Sequence, residues 1–352
     1  MRTASAVFVG AASALFALSG VAASVALEPA PEPVRPGVVP PSSVITGVVW
    51  APKETIVHAA NDSDIWATTW ADDEHLYTAY GDGTGFVPKV PVKLSQGLAR
   101  IEGTPDAFRG VNVRSPTFER FGNGPKGPKA SGLLMADGVL YALVRNTAHA
   151  QLAWSADRGA TWTWADWKFE SSFGCPTFVN FGPNYAGARD GYVYVVSHDA
   201  ETAYQVAERF VLARAPKGRL RERRDYEYYA GREPGGGPAW SRNPSARAGI
   251  LIPPNKCYRC TVSYDAVLKR YLLCQAGADR KADVGFGIFD APEPWGPWAT
   301  VYYARQWDVS PGESCCFPTK WMSADGKTLH LVFSGDDSFN VRRVVFTTAA
   351  GR

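Results

Sequence analysis

One unit recurs five times along this chain, and that recurrence limits the fold more than any other feature. Residues 67–82 read ATTWADDEHLYTAYGD, and residues 130–146 read ASGLLMADGVLYALVRN. Residues 175–199, 258–275 and 317–335 repeat the scheme. Each copy opens on a small or hydroxyl residue, runs through an apolar strand, turns at an Asp and returns as a second apolar strand. A third strand of alternating character follows each hairpin, at residues 97–101, 151–154, 210–214, 285–290 and 341–347. Helical periodicity is scarce, while Gly and Pro punctuate short β-branched and aromatic runs, so the chain reads as all-β. Five copies of a hairpin plus a strand favour a five-bladed β-propeller over a β-sandwich of similar hairpins, because radial repetition leaves only short, protected sheet edges.

The chain begins as an exported precursor would. Arg2 supplies a positive start, residues 4–21 are apolar or small, and Ser24-Val25-Ala26 offers a cleavage site. Residues 1–26 are therefore expected to be a signal peptide, which implies a secreted or periplasmic protein. Residues 27–43 carry a Pro-rich run, EPAPEPVRPGVVPP, read as a linker. Residues 44–352 would form the propeller. The net charge is +3 and falls to +2 without Arg2. The one basic cluster, RLRERR at residues 219–224, is interrupted by glutamate, which argues against a nucleic-acid partner. Past the signal no apolar run reaches the ~20 residues of a membrane helix, so a monomer with no membrane association after cleavage is expected. The six cysteines include a CxxC at Cys257 and Cys260 and an adjacent pair, Cys315-Cys316. No second CxxC or nearby His completes a zinc set, so thiols or disulfides are expected, with no metal and no cofactor. Cys315-Cys316 leaves open a vicinal disulfide, separate thiols, or bridges to Cys175 or Cys257.

Propeller topology sorts the acidic residues. The first strand of each blade leaves the functional face and the second returns to it. Asp73, Asp137, Asp190, Asp265 and Asp325 then fall in the hairpin turns at the opposite face, where Asp is an ordinary turn residue. Residues before first strands or after second strands share the functional face. These include Asp64, Trp66, Lys129, Cys175, Tyr258, Arg259, Glu313 and Cys315, and on the returning side Asp82, Arg145, Asn146, His198, Asp199, Gln275 and Asp336. A polar, mixed-charge ring with aromatics beside it suits a sugar. Asp64 and Asp82 flank one hairpin and should approach each other. Two neighbouring carboxyls have their pKa values pushed apart, as glycoside hydrolysis requires of its acid and its base.

Two resemblances bear on this reading. Ser155-Ala156-Asp157-Arg158-Gly159-Ala160-Thr161-Trp162 fits S-x-D-x-G-x-T-W and resembles the Asp-box of sialidases and other propeller glycosidases. Residues 63–73 (SDIWATTWADD) and 76–83 (LYTAYGDG) look like the opening blade of domain-of-unknown-function family 4185, which includes the endo-D-arabinanases of glycoside hydrolase family 183. Residues 98–100, 151–162 and 187–194 are consistent with it. The resemblance implies a five-bladed propeller over most of residues 46–348, cleavage of a furanose polysaccharide, and Asp64 and Asp82 as the catalytic aspartates.

The expected protein is a secreted glycoside hydrolase in which Asp64 and Asp82 form the acid/base pair. Trp66, Lys129, Arg145, His198, Arg259 and Glu313 would shape the subsites for a carbohydrate, furanose-containing or anionic. Its rivals are a polysaccharide lyase, using His198 or a Tyr as base and an Arg to neutralise a uronate, and a glycan-binding propeller without catalysis.

Overall fold

The computed structural model describes residues 28–29, 39–277 and 284–349. The expected signal peptide and most of the Pro-rich segment lie outside the described residues. Within the described residues the chain is a five-bladed β-propeller. The first blade comprises Asp64–Trp70, Leu76–Gly81, Gly97–Thr104 and Ala107–Val113, and the second Lys129–Ala136, Val139–Arg145, Ala150–Ser155 and Thr163–Phe169. The third is built on Thr177–Asn180, Tyr192–His198, Phe210–Pro216 and Glu227–Arg232, and the fourth on Arg259–Asp265, Arg270–Ala276, Phe286–Ala291 and Ala299–Ala304. The fifth joins Cys315–Cys316, Thr328–Phe333 and Phe339–Thr348 to Ile45–Trp50, a strand from the other end of the chain. That pairing closes the ring without leaving an open blade edge at the seam.

Five inner strands converge on the axis. Where they meet, hydroxyls, backbone pairing and one indole do the joining. Met135 N–H donates to Thr69 Oγ1 at 3.0 Å between the first and second blades, and Ser131 Oγ donates to Pro176 O at 2.7 Å between the second and third. Val179 and Val262 pair in parallel between the third and fourth blades. Thr261 Oγ1 donates to Cys315 O at 2.6 Å between the fourth and fifth. Trp66 Nε1 donates to Ser338 O at 2.9 Å, completing the circle.

The S-x-D-x-G-x-T-W segment forms the turn between the third and fourth strands of the second blade. Ser155 Oγ accepts from Gly159 N–H at 2.7 Å, and Asp157 accepts from Thr161 N–H at 2.9 Å. Trp162 stacks on Phe118 with ring centroids 4.2 Å apart. Arg158 and Gly159 hold φ of 54° and 96°, a bend that glycine makes at little cost.

Two expectations need correction, and one open alternative closes. The apolar composition from Phe317 on suggests the first strand of the fifth blade, but that strand is Cys315–Cys316. Pro318 cannot donate to a ladder, and Thr319–Trp321 coils into a 3-10 turn instead. Second, residues 39–43 do not belong to a free linker. Val39 is buried, and Ser42 N–H donates to Thr300 O at 2.8 Å along the fourth blade. Third, the adjacent cysteines serve opposite neighbours, as alternation along a strand requires. Cys315 Sγ lies 2.9 Å from Cys274 Sγ of the fourth blade, whereas Cys316 Sγ donates to Trp66 O of the first. A vicinal platform is excluded by that divergence.

All six cysteines are buried free thiols. Under an oxidising poise Cys274 and Cys315 are expected to give up two hydrogens to an exchanging disulfide and join the fourth blade to the fifth. Peptide mapping without reductant should find that cross-link, and Cys274→Ser should lower stability under oxidising conditions by up to about 4 kcal/mol for a loop of this length. Equal stability of the variant and the wild type, with and without reductant, would remove the bridge.

Candidate functional site

The five inner strands start at one face, and their first residues crowd around the axis. Ile65 and Ala67 of the first blade, Ser131 and Arg145 of the second, Cys175 of the third, Arg259, Cys260 and Thr261 of the fourth, and Glu313 and Ser314 of the fifth line a narrow axial cavity of about 20 Å³. An open cleft of about 560 Å³ lies beside the third blade, lined by Asp199, Glu201, Tyr204 and Arg247 among others.

Asp64 begins the inner strand of the first blade opposite Gly81. An extra residue interrupts the ladder between Asp64 and Ala67, and Ile65 takes φ of 58°, a strained value for a β-branched residue. Asp64 Oδ1 is sealed from solvent without a hydrogen-bond partner, while the residue as a whole remains half-buried. Burial, and after it the Asp82 carboxylate, push the Asp64 pKa up to about 6; the Arg145 and Lys129 charges pull the other way. A Cβ on Gly81 would stand 2.7 Å from Asp64 Oδ1, so only glycine leaves that carboxyl its place.

Asp82 has different company. Its Oδ1 accepts from Lys129 Nζ at 2.7 Å, and its Oδ2 from Gly124 N–H at 2.9 Å. Lys129 is almost fully buried and also donates to Gly124 O at 3.1 Å. Arg145 sits opposite Lys129 in the second blade and donates through Nη1 to the Tyr204 hydroxyl at 3.2 Å. Arg259 donates through Nε to Ala203 O at 3.0 Å and pairs with Glu313 across the fourth and fifth blades. Burial, and after it the Arg145 charge, hold Arg259 below the usual guanidinium range.

The structure therefore brings Asp64, Asp82, Lys129, Arg145, Arg259 and Glu313 to one axial cluster. Two expected residues do not present themselves there. Trp66 is core: its ring packs against Phe339, Phe86 and Tyr80, with centroids 5.0, 5.6 and 6.0 Å away. It shares a hairpin face with Asp64 only in an ideal strand, and the bulge at Ile65 separates the two. His198 is also fully buried. Its Nε2 lies 3.0 Å from Thr202 O, and burial, with the Arg259 and Arg145 charges adding, pushes its pKa down to about 4. It anchors the loop after the second strand of the third blade and faces no open pocket.

That loop carries a further residue of the site, Tyr204, which no sequence motif marks. Tyr204 accepts from Arg145, and its ring lies 5.3 Å from the Arg145 and 5.1 Å from the Arg259 guanidinium carbon. It also lines the open cleft, and so links cleft and axis. The topological rule for returning strands places this loop on the functional face; only the distance from His198 hid it. The five hairpin-turn aspartates stand at the other face in structural roles. Asp73 and Asp190, for example, accept from Tyr77 and Tyr194 hydroxyls at 3.0 and 2.6 Å.

Fold and site together define a five-bladed propeller with a polar, carboxylate-bearing axial face. The chain belongs to the family described as Domain of unknown function (DUF4185), whose model matches residues 142–344. That match begins in the second blade, so the first-blade residues that carried the resemblance lie outside it. Among curated proteins none matches the chain. Among solved structures, a Bacteroides ovatus protein described as a presumed hydrolase is similar over 84% of this chain and 90% of its own, at 13% identity and a TM-score of 0.52. A GH43_1 enzyme from Xanthomonas citri covers 84% and 94% at 12% identity and a TM-score of 0.47. An α-L-arabinofuranosidase from Podospora anserina covers 82% and 91% at 10% identity and a TM-score of 0.46. Among the described residues no group of metal ligands is assembled, and no helix is long and apolar enough to cross a membrane.

Proposed function

We propose that the protein is a glycoside hydrolase, with Asp64 as the general acid and Asp82 as the carboxylate base. The observation that carries this reading is the unequal environment of two neighbouring aspartates. Asp64 is sealed, unpartnered at Oδ1 and held protonated up to about pH 6, as a group that protonates a leaving glycosidic oxygen must be. Asp82 is ion-paired to Lys129 and fixed by the Gly124 N–H, as the ionised member of such a pair should be. The open cleft at Tyr204 has the size of a sugar-binding pocket. The fold shared with the Bacteroides ovatus protein described as a presumed hydrolase agrees with this reading, and export through the N-terminal segment would place the enzyme where polysaccharides are met. Elimination with His198 as base is not supported, because that ring is buried and tied to Thr202.

The test is cleavage of a panel of arabinans, xylans and uronate-bearing polysaccharides by the wild type, Asp64→Asn and Asp82→Asn, read by reducing ends and by near-ultraviolet absorption. New reducing ends without unsaturated products, lost in both variants, are expected. Full activity in both variants would falsify the assignment, and unsaturated products would replace it with a lyase. Gly81→Ala tests the same site indirectly. Its new methyl pushes on Asp64 Oδ1 and on Ile65, so turnover per folded molecule should fall about 10- to 100-fold, beside an overpacking loss of about 1–3 kcal/mol in stability. Unaltered turnover in Gly81→Ala would show that the position of Asp64 does not matter.

A further inference from the structure

The axial cluster holds three cations and three carboxylates, and two of each stand in ion pairs. Lys129 is paired with Asp82, and Arg259 with Glu313. Arg145, 1% exposed, has no carboxylate at ion-pair distance among the described residues. Its Nη1 donates to Tyr204, but its Nε is buried without an acceptor, and so is Arg259 Nη2. Guanidiniums from the second and fourth blades thus bring unused donors to the wall of one cavity. A buried guanidinium donor without an acceptor is costly, and a ligand that supplies the acceptor is the simplest reason for a fold to keep two of them side by side. The cavity's size says what form the acceptor takes. About 20 Å³ has room for a carboxylate or a water and excludes a sugar ring, while the open cleft lined by Tyr204, whose hydroxyl accepts from Arg145, is large enough for rings.

We infer that Arg145 and Arg259 form an anion subsite that takes the carboxylate of a uronic acid residue, whose ring rests in the cleft at Tyr204. This rests on the glycoside hydrolase reading and names its substrate class. The guanidinium fork matches a planar carboxylate through parallel N–H donors, which a neutral hydroxymethyl group in the same place cannot reproduce. Glu313, half-exposed at the rim, holds Arg259 in line while leaving Nη2 free for the incoming group. Neutral sugars would leave both donors unsatisfied, so the site discriminates against them.

The experiment measures thermal stabilisation and binding of the full chain with D-glucuronate, D-galacturonate, glucose, galactose and sulfate at constant ionic strength. Saturable stabilisation by a uronate, absent with its neutral counterpart, is expected. Arg145→Gln should weaken it at least about tenfold, as loss of a charge-assisted pair does. Arg145→Lys serves as the second variant: it keeps the charge, loses the fork and should bind between the two. Equal response to uronate and neutral sugar, or to uronate in wild type and both variants, overturns the subsite. Sulfate binding as tightly as uronate also overturns it, in favour of a general anion site. Cleavage of neutral glycans with no uronate response overturns this inference and leaves the hydrolase standing. Uronate binding that depends on Arg145, without cleavage of any glycan, supports the subsite and overturns the hydrolase.

Discussion

Asp64→Asn is expected to lose about a thousandfold in turnover, the typical contribution of a positioned general acid, and at the same time to stabilise the fold above pH 6. The two effects have one cause. Asp64 titrates near 6 in the fold against 3.8 ordinarily, chiefly because burial disfavours its charged form. Between those values the folded state binds a proton that the unfolded chain has released. The group's contribution to stability is therefore complete below pH 3.8 and is lost as pH rises through about 6. Asparagine never carries the charge. The variant should gain on the order of 2 kcal/mol over wild type at pH 8, allowing for the partial solvent contact of Asp64, and gain little at pH 4. Wild-type turnover should decline above pH 6 as the folded acid deprotonates, so the loss of activity begins where the loss of stability is ending. Urea titrations at both pH values, set beside a pH–rate profile, check this. A variant less stable than wild type at pH 8 would mean that Asp64 is a structural carboxylate, and a flat wild-type profile up to pH 8 would remove it as the acid.

The blade architecture was legible because each hairpin carries its signal locally: an apolar strand, an Asp-Gly or similar turn, and a second apolar strand. The same topology separated Asp64 and Asp82 from the turn aspartates, since the face a residue reaches depends only on which end of a strand it occupies. What could not be read depends on departures from that regularity. Period-two alternation puts Asp64 and Trp66 on one face, and the bulge at Ile65 cancels it. Phe317 and Trp321 have the composition of a strand, but Pro318 removes the donor a strand would need, and the turn goes elsewhere. Tyr204 lies in a loop, where no periodicity marks position, and its role emerges only from two arginines that reach it from different blades. The unsatisfied donors of Arg145 and Arg259 are likewise a property of the assembled ring, since only the fold brings the two guanidiniums to one cavity.

Trp66 yields the other large effect, and it is an effect on stability. The indole is 1% exposed and wedged among Phe339, Phe86 and Tyr80 at the seam between the first and fifth blades. Its Nε1 donates to Ser338 O, and its backbone N–H donates to Ser314 Oγ at 3.0 Å. This seam is where the two ends of the chain meet, since the fifth blade borrows its outer strand from Ile45–Trp50. Trp66→Ala removes the ring and strands the Ser338 carbonyl, and should cost about 3–5 kcal/mol. Trp66→Phe keeps most of the ring packing and loses the indole donor, for about 1 kcal/mol. The two variants separate a core residue from a sugar platform. A platform would lose binding on truncation to alanine while the denaturation midpoint held. A seam residue loses the midpoint in the order alanine, then phenylalanine, then wild type, and turnover per folded molecule suffers only as far as the bulge at Ile65 lets Asp64 drift. Retention of the wild-type midpoint by Trp66→Ala would return this residue to the binding surface.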